Sequence, residues 1–115
     1  MLVNSIKNVK DEKLDNGEDI LKTCKKVLIS EKQGAPNFRL RYFTIKPGGN
    51  SPWHKHNWEH ENYFVKGKGV IVTENKEYEV EPDMYAYVAP GEKHQYKNPY
   101  SEPFEFLCLI PVPEK

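Results

Sequence analysis

Arginine and cysteine are scarce in this chain, two of each, and no apolar run approaches the length that crosses a bilayer. Two cysteines, Cys24 and Cys108, cannot make a Cys-type zinc site or a disulfide framework, and both are expected to be free thiols. Fifteen lysines against two arginines serve bidentate recognition of phosphates or base edges poorly. Acid and base cancel to a formal charge of zero, and no basic stripe offers a nucleic-acid or membrane surface. The first thirteen residues, MLVNSIKNVKDEK, lack the apolar segment of a secretory signal, so a cytoplasmic location is expected.

What is present is a run of short apolar, aromatic and β-branched segments cut by nine prolines and seven glycines. Residues 1–19 are polar, with an exposed turn at Asn16-Gly17, and read as an N-terminal arm. Ile20-Leu21 and Val27-Leu28-Ile29 are brief apolar bursts. Residues 38–45, FRLRYFTI, read as a strand stopped by Pro47-Gly48-Gly49. Residues 62–66 and 70–73, around Gly67-Lys68-Gly69, read as a hairpin. Strands at 76–80, 84–89, 94–97 and 104–110 follow, and Pro111 and Pro113 block further pairing. Turn signals recur every 8–12 residues and no stretch has a helical period, so the expected fold is a single all-β domain over residues 1–115, a sandwich or small barrel with its core in 38–110.

Histidine is sparse too, four in 115 residues, yet all four fall in two stretches: His54, His56 and His60 in residues 48–69, and His94 in residues 90–98. Two residues apart on extended backbone, His54 and His56 face the same way. His60 follows after enough chain to bend back, and folding alone can bring in His94. Neutral imidazole is a common metal ligand, and tight turns flank both stretches, so the four are candidate ligands of one divalent ion. Glu61 also stands at a workable distance from His56, and Glu59 lies beside it; both are read as solvated or outer groups. Solvated surface histidines would be the ordinary alternative, but three within seven residues make that reading a poor one. No Ser-His-Asp or Cys-His nucleophile can be assembled without taking a histidine from this set.

Residues 48–67 carry Gly48, five residues, His54-x-His56, three residues, His60, six residues, Gly67. Residues 83–98 carry Asp83, Ala89, Gly91, His94 and Asn98 at matching spacing. These strings resemble the two motifs of the cupins, with His60 where a Glu is usual, Asp83 for a Gly and Ala89 for a Pro. Ala35-Pro36-Asn37-Phe38, the stretch Asn57-Trp58-Glu59-His60-Glu61 and Phe106-Leu107-Cys108-Leu109-Ile110-Pro111 are further similar to the small four-histidine, manganese-binding cupins of thermophilic bacteria. The resemblance implies a double-stranded β-helix, a jelly-roll-like barrel, holding a divalent metal. Manganese is expected first, although imidazole chemistry by itself would favour Fe, Zn, Ni or Cu.

Four neutral ligands leave the ion its full charge, so an anionic small-molecule ligand is expected. An octahedral ion would keep two positions open for a substrate or dioxygen. The resemblance places Phe106 and Cys108 in the pocket, with core packing as the alternative. Arg41 is read as a contact for an anion or as an edge charge. Asn62, on the parity of His60, is read as a ligand contact or a turn residue, and Asn98 as a turn fastener. A homodimer is expected, covering Val27, Ile29, Tyr42 and Phe43. The functional expectation is a metal-dependent, dioxygenase-like oxidoreductase acting on a small anionic or enol-type molecule. A metal-dependent isomerase or a non-catalytic sensing module are the alternatives.

Overall fold

The computed structural model describes residues 1–112, so Pro113 lies outside the described residues. Nine strands carry the fold: β1 (Glu12–Lys13), β2 (Leu21–Ile29), β3 (Phe38–Asn50), β4 (His60–Lys66), β5 (Gly69–Thr73), β6 (Glu77–Val80), β7 (Tyr85–Val88), β8 (His94–Lys97) and β9 (Phe104–Pro111). Among the described residues the only helices are two 3-10 turns, Ile6–Asn8 and Glu31–Gln33. The strands are hydrogen-bonded in the order β6-β5-β8-β3-β9-β4-β7, with β2 on the other edge of β3 and β1 on β2. This is the expected all-β barrel, antiparallel and nearly closed. No helix among the described residues is long and apolar enough to cross a membrane.

One long strand joins the two halves. Along Phe38 to Ile45, β3 pairs with β9, and at Asn50 it pairs with Lys97 of β8. Pro47-Gly48-Gly49 does not end the strand, as its composition suggests, but bends it within its thirteen residues. Gly48 takes a φ of +83°, open to glycine at little cost, and its N–H donates to Asn98 O at 2.8 Å. Asn98 fixes this corner from within, its amide donating to Ile45 O at 2.8 Å and Glu102 O at 2.7 Å.

The hairpin expected around Gly67-Lys68-Gly69 is not formed. β4 pairs with β7 and β9, while β5 pairs with β6 and β8, so the turn carries the chain from one half of the sheet to the other. Close packing explains the detour: a Cβ on Gly69 would stand 2.1 Å from the Phe104 ring. The turn is pressed onto the core, which leaves no room for its strands to fold back on each other. Strand β2 was also hidden, because Thr23-Cys24-Lys25-Lys26 breaks its apolar pattern. It pairs with β3 along its length, with register shifts near both ends. Asp83 replaces a motif glycine but keeps a φ of +72°, a conformation aspartate tolerates better than most residues.

The core is an aromatic column. Phe64, Phe104 and Phe106 are essentially inaccessible, and their rings lie 5.1 to 5.7 Å apart. Phe106 continues the column to Tyr96 at 4.7 Å and Phe43 at 5.4 Å, so the top of the core is the floor of whatever lies above it. Offset and tilted rings at these separations add to the burial of their apolar area. Phe64→Ala should therefore cost about 3–5 kcal/mol in urea unfolding; a loss below 1 kcal/mol would mean the column is not the stabilising core.

Candidate metal centre

The four histidines are gathered by backbone, not by chance contact. Residues 51–59 form no regular strand, yet His54 and His94 make an isolated antiparallel bridge, with N–H to O distances of 3.2 and 3.0 Å. Gly91 N donates to His56 O at 2.6 Å, and Tyr96 N donates to Ser51 Oγ at 2.8 Å, seating this segment along β8 and the turn before it. His60 opens β4 opposite Val88, and His94 opens β8. The strands are rigid, and the irregular segment is pinned to them.

The result is a closed circuit of rings. Centroid separations are 4.4 Å for His54 and His56, 5.3 Å for His56 and His60, 5.0 Å for His60 and His94, and 5.5 Å for His94 and His54. With metal–nitrogen bonds of about 2.1 Å, ring centres stand roughly 3 Å from an ion, so neighbouring ligand rings lie about 4.5–5.5 Å apart. Glu61 is exposed and pairs across to Tyr87 and Leu109, on the outer face of the sheet. Of the two residues at ligand spacing, the inward one is His60.

Burial keeps these rings uncharged. It is the largest cause that lowers His54 to about 4 and His60 to about 3, with neighbouring imidazoles adding to it. His56 and His94 are lowered for the same first reason. His94 Nδ1 lies 2.9 Å from Glu92 O, a carbonyl that can only accept, so Nδ1 carries the proton and Nε2 the lone pair. His60 Nδ1 is buried with no hydrogen-bond partner among the described residues, a cost that an ion or its water shell would relieve. Among the described residues no group of three or more His, Cys, Asp or Glu is placed so that it could hold a metal ion as it stands. The backbone has gathered the rings without aiming them at one point. Neutral, clustered and partly unsatisfied, the donor set suits a divalent ion.

The cavity beside the rings has a volume of about 160 Å³ and is lined by all four histidines together with Arg41, Lys25, Tyr96, Phe43, Phe106 and Cys108. Among the described residues no carboxylate lines it. Of the pocket candidates, Arg41, Phe106 and Cys108 face this cavity. Phe106 serves both readings, as core and as floor. Arg41 Nη2 donates to Cys108 Sγ at 3.0 Å, and the guanidinium lies 4.9 Å from the centre of the Phe43 ring. Burial raises the Cys108 thiol, with Arg41 opposing, so it stays protonated.

Asn62 is not in that wall. It is buried in β4, accepting from Tyr96 Oη at 2.5 Å and donating to Leu107 O at 3.3 Å, and so holds Tyr96 from behind. A turn-side position for it is likewise ruled out. Tyr96 takes the wall position, on the parity of His94. Trp58 is a second residue the histidine pattern does not announce; its ring stacks on His56 at 4.5 Å and 10°. Its place two residues after His56 was the available signal.

Residues 41–110 match the family model described as Cupin domain. The chain belongs to the cupin family. Over 71 residues it is 31% identical to 1-methylthio-D-xylulose 5-phosphate methylsulfurylase of Rhodospirillum rubrum, covering 62% of this cupin and 46% of that relative's length. The chain thus spans about half of that relative. Among solved structures, the polyketide cyclase RemF of Streptomyces resistomycificus superposes with a TM-score of 0.90 at 29% identity, over 97% of this chain and 80% of that one. A predicted oxalate decarboxylase of Thermotoga maritima gives 0.85 at 22% identity over 97% and 99%, a likeness of fold.

The histidine shifts have a consequence for stability. With folded values below the ordinary 6.5, the unfolded chain binds more protons than the folded one from about pH 6.5 down to about 3. Stability that depends on neutral rings is complete above that range and is lost as pH falls through it. Urea midpoints of metal-free protein should fall between pH 7 and pH 4, and fall less in a His54→Gln, His60→Gln chain. An equal fall in both chains would show that the rings are not held neutral by the fold.

Proposed function

We propose that this cupin is a metal-dependent enzyme acting on a small anionic, enol-forming molecule, with His54, His56, His60 and His94 as the residues that hold the ion. The observation that carries the reading is a cavity lined by four neutral imidazoles and two cationic side chains, Arg41 and Lys25, with no carboxylate among the described residues. Manganese is the first candidate, and Fe, Zn, Ni and Cu are the others. A bound divalent ion would supply a Lewis-acid or redox centre whose charge its ligands leave uncancelled.

The chain's own residues supply the rest. Arg41 offers a planar, permanently charged donor set for a carboxylate or enolate, steadied by Cys108 Sγ on one side and the Phe43 ring on the other. Phe43 and Phe106 make that side of the cavity apolar, which limits water and strengthens charge interactions within it. Burial keeps the Tyr96 hydroxyl protonated, and it is turned to Asn62. With Cys108 protonated and no acidic side chain among the described residues of the wall, no carboxylate base stands there. That favours a substrate arriving as its enolate, and dioxygen as co-substrate, over proton shuttling by the protein.

A second reading is ring closure or isomerisation without oxidation. The likeness to RemF, over nearly the whole of this chain, favours it.

The experiment is turnover of untagged protein, stripped and reloaded with Mn or Fe, on a panel of 2-oxo acids and 1,3-diketones with dioxygen uptake followed in parallel. Metal-dependent turnover with matched dioxygen uptake, reduced at least 100-fold in His60→Ala, is expected. Metal-dependent turnover without dioxygen uptake would move the assignment to the cyclase or isomerase reading. Tight ligand binding with no turnover would make the protein a sensing module.

A further inference from the structure

We propose that the substrate carries a second anionic group, a carboxylate or phosphate, held by Lys25 where the histidine-lined cavity meets a larger outer one. This rests on the reading above, which puts the reacting end among the histidines. The outer cavity, about 440 Å³, is bounded by the N-terminal arm, β2, β3 and the turn before β3. Lys25 and Arg41 line both spaces, so the two adjoin at these cations. The inner space of about 160 Å³ is well below the roughly 300–1,000 Å³ of ordinary small-molecule sites, and the outer one makes up the difference.

The charge around the outer cavity is one-sided although the chain as a whole is neutral. Glu31 is occupied by Arg39, whose Nε and Nη2 donate to it at 2.7 and 2.5 Å. The other lining charges are Lys10, Lys25, Lys32 and Arg41 against Glu12. Lys25 and Arg41 sit close on adjacent strands, with Lys25 opposite Phe43 and Arg41 opposite Val27. Burial and then Arg41 pull the Lys25 amine down, with Glu12 opposing. Arg41 Nε is buried with no hydrogen-bond partner among the described residues. An anion lodged between the two cations offsets their repulsion and gives this face of the cavity an acceptor.

The division of labour follows from side-chain chemistry. Arg41 is fixed by Cys108 and Phe43 and faces the reacting end. Lys25, a flexible point charge, tolerates tails of differing geometry. Lys10 and Lys32 are exposed and add field, not contacts.

Calorimetric titration of the full chain tests this, with inorganic phosphate as the probe for metal-stripped protein. Glutarate and butyrate serve as a matched dianion and monoanion for Mn-loaded protein. Phosphate binding is expected to weaken at least fivefold in Lys25→Met and in the surface pair Lys10→Gln/Lys32→Gln, and to be unchanged in His60→Ala. Glutarate is expected to bind at least tenfold tighter than butyrate, an advantage lost in Lys25→Met. Phosphate binding that survives both lysine variants, or a glutarate advantage that survives Lys25→Met, overturns the proposal. Equal loss in His60→Ala overturns it as well, since it puts the anion at the histidines. The expected phosphate result on a chain that retains none of Mn, Fe, Zn, Ni or Cu would support the outer subsite and sink the metal reading by itself.

Discussion

Two backbone hydrogen bonds between His54 and His94 hold an irregular segment against a regular strand, and the arrangement of the centre depends on them. Residues 51–59 have no ladder of their own. Without the bridge, and without the contacts of Ser51 and His56 on either side of it, His54 and His56 would sit on a free loop. With it, two rings from the loop are brought beside one ring from β4 and one from β8. Side chains supported this way need only turn, not travel, to meet an ion.

The same arrangement sets the electrostatics. Burial favours the neutral form of all four imidazoles, and the wall beside them bears cations with no acids among the described residues. A carboxylate ligand would have cancelled part of an ion's charge; imidazole cancels none of it. On the proposed reading, an ion among these rings would keep its charge, and negative charge would be drawn first to it and then along Arg41 and Lys25. The aromatic column beneath has a second role here, because Phe106 and Tyr96 are at once the top of the core and the floor of the cavity. Stability and site geometry share those rings, so substitutions there are expected to disturb both.

Much of this was legible from sequence, for identifiable reasons. The histidines stood out because two sat at strand spacing and the motif lengths placed His60, not Glu61, on the inner face. Alternation along the last strand put Phe106 and Cys108 on one inward face, while Arg41 stood out only as one of two arginines, in a mostly apolar strand. Asn62 shows the limit of alternation: it gave the correct face, but depth within the barrel decides whether an inward residue meets the cavity or lies behind Tyr96. The missed strand β2 and the false hairpin have different causes. Thr23, Cys24, Lys25 and Lys26 are too polar to announce a strand, since the inward positions line a charged cavity. Gly67-Lys68-Gly69 has hairpin composition, but the turn packs against Phe104 and the chain passes to the other half of the sheet. The outer cavity was out of reach altogether, being assembled from the arm, two strands and a turn that sequence cannot place side by side.

X-ray absorption at the metal edge of Mn-loaded protein addresses the central claim most directly. The account predicts a first shell with four imidazole nitrogens, reduced to three in His60→Ala, and with no carboxylate from Glu59 or Glu61. A shell of three imidazoles and a protein carboxylate, or one unchanged by the His60 substitution, would contradict it.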